Sequence, residues 1–348
     1  MTFSPTDLEH PIVQAPLAGG ASTVALAAAV ADAGGLGFLA AGYRPPEAVR
    51  ADVAALRERT AGPFGVAIFA PPSAPAAGSD VAAYAAALEA DAARAGVALG
   101  EPRHDDDRWE AKLDLVAQER VAVVSFAFGC PAAAVVDRLR AAGSAVWVTV
   151  TTPAEAAAAA AAGADALVVQ GVEAGGHRGS FDDGAPGTIG LLALLQLVRD
   201  AVALPLVATG GIATGRGVAA VLAAGAAAAQ LGSAFMLTPE AGTSAPHRRA
   251  LRAGGGTRLT RAFSGRLARG IENRFLREHS DAAPSAYPDV HHLTAPLRAA
   301  ARERGDAELL HLWAGQAHAL ATEEPAGDLV RRLAAEAREA LRDAAARA

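Results

Sequence analysis

Two patterns of apolar and polar positions alternate along the chain. Short apolar runs occupy 12–15, 36–40, 64–69, 121–126, 145–150, 165–170, 204–209 and 227–231, the run at 165–170 with β-branched residues. Runs of this length without polar alternation read as strands buried on both faces, the habit of parallel sheets. Between them 23–33, 45–59, 81–95 and 109–119 carry apolar residues at helical spacing, and Ser22 is placed to cap the first of these helices. A proline-rich loop is expected at 71–75, and 96–104 leaves room for one more short strand. Near Thr238 the pattern changes to turns and short helices with frequent arginine, and helical spacing resumes over 298–303, 309–321 and the amphipathic stretch 329–348.

About eight strand–helix repeats are what closes a TIM barrel, so the expected fold is α/β, a (β/α)8 barrel with a small, mainly helical cap inserted near the C-terminus. The barrel is expected over 1–240, the cap over 241–305, and C-terminal helices packing back on the barrel over 306–348. A chain of 348 residues with 52% hydrophobic content can bury a core of that size. The arginines of the cap, from Arg248 to Arg277, read either as a solvated face balancing an acidic barrel or as a phosphate-binding set. Alanine runs such as 156–162 lie inside the repeats and read as helix formers.

Charge and cysteine content narrow the function. A net charge of -6 argues against a general nucleic-acid binder. Cys130 is the single cysteine, which excludes an intramolecular disulfide and paired-cysteine zinc or redox motifs. The first ten residues lack the pattern of a secretory leader and no long apolar span suits a membrane helix, so a cytoplasmic protein without a membrane partner is expected. The alanine-rich exterior leaves a homodimer open.

The chemistry concentrates where strands end. After 165–170 the chain reads Gln170-Gly171-Val172-Glu173-Ala174-Gly175-Gly176-His177-Arg178-Gly179. Barrel enzymes keep their reactive groups on such loops at the C-terminal rim. The loops after the last two strands read Thr209-Gly210-Gly211-Ile212 and Gln230-Leu231-Gly232-Ser233. Glycine there lets backbone N–H groups approach a phosphate, although the same glycines also serve simple tight turns. His177 is the histidine at a core strand end, where imidazole can act as a base. His291 and His292 fall in the cap segment, and Lys112, the only lysine, is expected on a surface helix, which speaks against Schiff-base chemistry. No metal-ligand spacing is present, and Cys130 reads as a packing residue at a turn.

These residues resemble the nitronate monooxygenases, also called 2-nitropropane dioxygenases, which are FMN-dependent barrels. The loop from Gln170 to Gly179 carries most of the likeness, supported by Gln14-Ala15-Pro16-Leu17-Ala18-Gly19-Gly20, by Ala33-Gly34-Gly35-Leu36-Gly37, by Ala208-Thr209-Gly210-Gly211-Ile212-Ala213 and by Trp313-Ala314-Gly315-Gln316. The resemblance implies FMN contacts at Ala15, Pro16, Leu17, Ala18, Gln170, Gly175, Gly176, Gly210, Gly211, Gln230, Leu231, Gly232 and Ser233, with His177 as the active-site base. It also implies oxidation of alkyl nitronates, and of nitroalkanes after proton removal, with O2 to carbonyl compounds and nitrite. Two departures stand out. Relatives often carry Asn where this chain has Ala67, and the segment from Tyr287 to Thr294 lacks a second tyrosine and a lysine found in one subgroup. The alternatives are an FMN-dependent NAD(P)H:quinone or enoyl-thioester reductase on the same barrel, and a non-catalytic phosphosugar-binding barrel.

Overall fold

The computed structural model describes residues 2–72 and 78–347. Residues 73–75 of the expected proline-rich loop lie outside the described residues. Eight strands, β1 (Ile12–Gln14), β2 (Gly37–Ala40), β3 (Phe64–Phe69), β4 (Val123–Ala127), β5 (Ala145–Val150), β6 (Ala166–Gln170), β8 (Leu206–Thr209) and β9 (Ala228–Leu231), form one parallel sheet in the order β1-β9-β8-β6-β5-β4-β3-β2. The remaining strands, β7 (Gly176–His177), β10 (Thr257–Thr260) and β11 (Ala268–Ile271), form a small antiparallel sheet.

The parallel sheet closes on itself through β1 and β2. Gln14 N–H donates to Leu36 O at 2.9 Å, and Leu36 N–H to Ile12 O at 3.0 Å. The Gln14 side chain extends this seam, its Oε1 accepting Phe38 N–H at 2.9 Å. A TIM barrel is therefore the fold.

Helices α1 (Val24–Asp32), α2 (Pro46–Arg57), α3 (Gly78–Ala95), α4 (Trp109–Gln118), α5 (Ala133–Ala141), α6 (Pro153–Ala161), α7 (Leu191–Ala201) and α8 (Gly215–Ala223) precede the cap. The cap and C-terminal region add α9 (Ala245–Ala253), α10 (Arg274–His279), α11 (Asp289–Arg304) and α12 (Ala326–Ala345). Alternate strand residues point inward, where Val13, Phe38, Trp147, Val168 and Val207 fill the barrel, while Leu26, Val66, Val148, Leu167, Leu194 and Leu333 form the layer beneath the helices. Burying such side chains contributes roughly 1.5–3 kcal/mol each. Residue α12 Glu336 also holds Gly215 N–H at 3.0 Å, tying the last helix to the start of α8.

A third core underlies the cap and joins Phe263, Phe275, Leu276, Val290 and Leu297 to Tyr84 and Leu88 of α3. Tyr84 donates to Ala262 O at 2.7 Å, so α3 belongs to the cap rather than to the barrel's outer ring.

Several expectations are corrected. Thr23, not Ser22, caps α1, its hydroxyl accepting Leu26 N–H at 3.0 Å; Ser22 Oγ instead accepts Leu17 N–H at 2.8 Å and stabilises the loop after β1. The stretch 96–104 forms no strand, since Gly100 N–H is taken by Leu293 O of α11 at 2.9 Å. The segment 241–305 contains β10 and β11 besides helices, and 309–321 holds only short 3-10 turns. Lys112 is interior, with its side chain 1% exposed and 2.6 Å from Asp107.

Candidate functional site

The barrel's C-terminal rim and the cap enclose a cavity of about 540 Å³. That volume lies within the range of roughly 300–1,000 Å³ usual for cofactor and small-ligand sites. Its walls come from the loops after β1, β6, β8 and β9, from the ends of β3, β4 and β5, and from the cap residues Phe263, Ser264, His291, Arg298, His311 and Trp313.

The loop after β6 is braced from inside. Arg178, fully buried, donates to Gly171 O at 2.6 Å, Gly187 O at 2.8 Å and Gln170 O at 3.2 Å. Burial lowers its guanidinium to about 10, partly offset by Glu155 and Glu173. Gln170 links the loop's two ends, its Nε2 donating to His177 O at 3.1 Å and its Oε1 accepting Gly179 N–H at 2.9 Å. Glu173 faces away from the cavity and receives Leu191 N–H at the start of α7 at 3.0 Å. The cap then fixes what the loop begins: Gly176 and His177 pair with Arg269 and Ala268 of β11, and Arg178 N–H donates to Leu267 O at 2.8 Å.

His177 stands in an aromatic surround, with ring centroids of Trp313, Phe128 and Tyr287 at 5.4, 5.6 and 6.2 Å. Its Nε2 is 2.8 Å from Ser264 Oγ. Ser264 Oγ also lies 3.3 Å from Arg266 O and accepts Arg266 N–H at 3.4 Å; when the serine hydrogen goes to Arg266 O, Oγ accepts Nε2–H and the lone pair is left on Nδ1. Burial, then the charges of Arg266 and Arg298, lower the imidazole to about 3. It is neutral at physiological pH. Arg266 stacks 4.1 Å over the Phe128 ring and donates to Arg178 O at 3.2 Å.

The other rim loops are shaped by glycine. Gly210 and Gly211 adopt φ of +116° and +67°, in the left-handed region that other residues rarely enter. The buried Gln230 Oε1 has no hydrogen-bond partner among the described residues. Ser233 Oγ accepts Gly315 N–H at 2.9 Å, which ties the segment after Trp313 to the loop after β9. Among the described residues no aspartate or glutamate lines the cavity.

A family model described as nitronate monooxygenase matches residues 5–336. The chain belongs to the nitronate monooxygenase family. A probable nitronate monooxygenase from Staphylococcus aureus (strain Newman) is 36% identical over 332 residues, covering 93% of each chain. Among solved structures, a nitroalkane oxidase from Streptomyces ansochromogenes is 54% identical with a TM-score of 0.93, covering 97% of this chain and 99% of that one. FabK from Thermotoga maritima is 26% identical with a TM-score of 0.78, covering 99% and 97%. As a nitronate monooxygenase family member, the chain is a flavin-dependent oxidoreductase.

The cavity of this family member gathers nearly all the site residues read from sequence. Ala15, Pro16, Leu17, Ala18, Gln170, Gly175, Gly176, His177, Gly210, Gly211, Gln230, Gly232 and Ser233 all line it. Leu231 does not: its side chain is 1% exposed and packs outward in the core beneath the helices, while its carbonyl accepts Ala15 N–H at 2.8 Å. Strand alternation turns it away from the cavity between Gln230 and Gly232. The unpartnered Gln230 oxygen, the left-handed glycine turns and the carboxylate-free lining suit a ring system carrying a phosphate, so the residues fit a flavin.

Other cavity residues carried no local signal. Tyr43 and Phe128 hold φ of +63° and +76°, strained for non-glycine residues, and both border the cavity. Tyr43 stacks on His291 with centroids 4.0 Å apart, and burial pushes its phenol up to about 12. Ser264 and Arg298 reach the cavity only because the cap folds over it. Ala67 lines the floor without any polar group, and the half-buried Cys130, its thiol pushed up by burial, has no histidine partner. No helix among the described residues is long and apolar enough to cross a membrane.

Proposed function

We propose that the protein is an FMN-dependent nitronate monooxygenase, oxidising alkyl nitronates with O2 to carbonyl compounds and nitrite. Neutral nitroalkanes enter after loss of a proton to His177. The observation that carries this reading is the neutral His177 imidazole in a cavity bordered by arginine and, among the described residues, by no carboxylate. A nitronate is the anion left when a carbon acid next to a nitro group loses its proton. The positive field favours keeping that anion, and the anion's charge offsets the arginine charges that hold the His177 imidazole low.

Gly175, Gly176, Gly210, Gly211, Gly232 and Ser233 would hold the FMN phosphate, and Ala15 to Ala18, Gln170 and Gln230 would border its ring. Bound there, FMN supplies the redox chemistry, exchanging electrons with the substrate and with oxygen. The chain's own contribution is to hold the substrate beneath the aromatic surround, exclude water and take the proton at Nδ1.

An FMN-dependent NAD(P)H:quinone or enoyl-thioester reductase on the same barrel is the reading to test against. The visible spectrum of the purified protein should show bound flavin. Ethyl nitronate in air should then release nitrite with no nicotinamide added. NAD(P)H oxidation under nitrogen, with no nitrite from nitronate in air, would instead assign the reductase.

A further inference from the structure

Arg266 is buried, 5% exposed, and does not line the cavity. Its guanidinium has no carboxylate within ion-pair distance among the described residues, because Asp183, the carboxylate that acts on it most strongly, is paired with Arg261 at 2.8 Å. A buried charge without a counter-ion is costly, so its hydrogen bonds have to hold it. They go to the loop after β6. Nε donates to Arg178 O at 3.2 Å and a terminal nitrogen donates to Ser180 O, the carbonyls one and three positions beyond His177.

The same guanidinium lies 4.1 Å from the centre of the Phe128 ring. Phe128 sits in the left-handed region at φ +76° and donates its N–H to Gly179 O at 3.3 Å, so it too is fastened to this loop. Its ring meets the His177 ring at 76°, with centroids 5.6 Å apart. Ser264 Oγ stands 2.8 Å from His177 Nε2, and Arg266 N–H donates to that same oxygen at 3.4 Å. Arg266 thus reaches three groups that fix the imidazole: the flanking ring, the hydroxyl at Nε2 and the backbone that follows the histidine.

A base has to aim its lone pair at the C–H bond it breaks, and small misplacements cost rate steeply. We propose that Arg266 is a positioning residue for proton removal: it locks the Phe128 ring and the Arg178 carbonyl, and through them the plane of the His177 imidazole. In the step it serves, the C–H bond next to the nitro group breaks, the proton goes to the imidazole, and the electron pair stays on the nitronate. The proposal rests on the reading of His177 as the base and adds the group that aims it.

The flavin-loaded Arg266→Gln variant should keep its flavin content and its rate on ethyl nitronate, which needs no proton removal. Its kcat on nitroethane should fall about 10-fold or more at unchanged KM, the loss expected for a hydrogen bond made by a charged group. Arg266→Lys keeps the charge but not the planar fork, and should fall with it. Phe128→Leu should show the same asymmetry between the two substrate forms. In the double variant the loss on nitroethane should stay well below the product of the two single losses, as for groups that act through one another. Loss of flavin or equal losses on both substrate forms in Arg266→Gln, wild-type rates in the lysine variant, or fully multiplied losses in the double variant each overturn the proposal. Should Arg266→Gln fail to fold, Phe128→Leu decides by the same comparison of nitroethane with ethyl nitronate. Equal losses on both forms in His177→Ala reject the base assignment itself. Asymmetric losses there, without asymmetry in Arg266→Gln, reject the positioning role alone.

Discussion

His177 Nε2 and Ser264 Oγ, 87 residues apart in the chain, lie 2.8 Å from each other at the cavity wall. With the serine hydrogen on Arg266 O, 3.3 Å away, this contact holds the tautomer with Nδ1 free. Ser264→Ala should therefore leave flavin content unchanged and lower turnover of neutral nitroalkanes. Losing a hydrogen bond of about 1–2 kcal/mol corresponds to roughly 5–30-fold. Preformed nitronates, which need no proton removal, should lose much less. His177→Ala should show the same asymmetry with a larger loss, about 100-fold or more on the neutral substrates. Steady-state rates on both substrate forms check this, and equal losses on both would reject the base assignment.

Lys112 and Asp107 form an ion pair at 2.6 Å, and Asp107 Oδ2 also accepts Tyr43 N–H at 3.2 Å, where the backbone is left-handed. Burial shifts both groups toward their neutral forms, the lysine down and the aspartate up, against their mutual attraction. Lys112→Met strands the carboxylate and should cost about 3 kcal/mol, the lower end for a broken buried pair because Asp107 keeps the Tyr43 amide. Denaturant unfolding measures it. Adding Asp107→Asn to Lys112→Met should restore part of the loss, and a further loss would show that the carboxylate is not the strained partner.

Gly211 sits at φ +67°, and a Cβ there would lie 3.1 Å from Glu173 Cβ. Gly211→Val combines backbone strain with a side chain at the proposed phosphate position. Flavin-to-protein absorbance of the purified variant should fall well below wild type. Full occupancy would move the phosphate elsewhere on the rim.

Acid should destabilise the fold through its cavity histidines. Burial, reinforced by neighbouring arginines, lowers His177 to about 3; burial lowers His247 to about 4, and His291 and His311 shift downward for the same reason. An unfolded histidine titrates near 6.5. Below that pH the unfolded chain binds protons the folded one refuses, so stability falls as pH drops from 6.5 toward the folded values. Each such histidine can account for up to about 2 kcal/mol at pH 5. Tm should be nearly flat from pH 7 to 8 and drop steeply below 6. His291→Asn should make that drop shallower, and an unchanged slope would remove His291 from the account.

Sequence alone determined the architecture and much of the site. Short, mostly apolar runs at eight places, alternating with helical stretches, read as parallel strands, because such strands are apolar on both faces. The loop after β6, the glycine pair after β8 and Gly232 after β9 were legible for a related reason: backbone geometry that excludes side chains leaves its mark residue by residue. The resemblance to the nitronate monooxygenases named fourteen positions without coordinates; thirteen line the cavity and Leu231 faces the other way, since strand alternation had to be counted from a boundary the residues do not mark. What the tertiary structure alone decided lies between distant segments. The pairing of β11 with Gly176 and His177, the contact of Ser264 with the His177 ring and the meeting of α9 with Arg298 and Arg302 all join residues far apart in the chain. Such contacts depend on how the cap settles over the barrel mouth, and no local periodicity or turn preference encodes that packing.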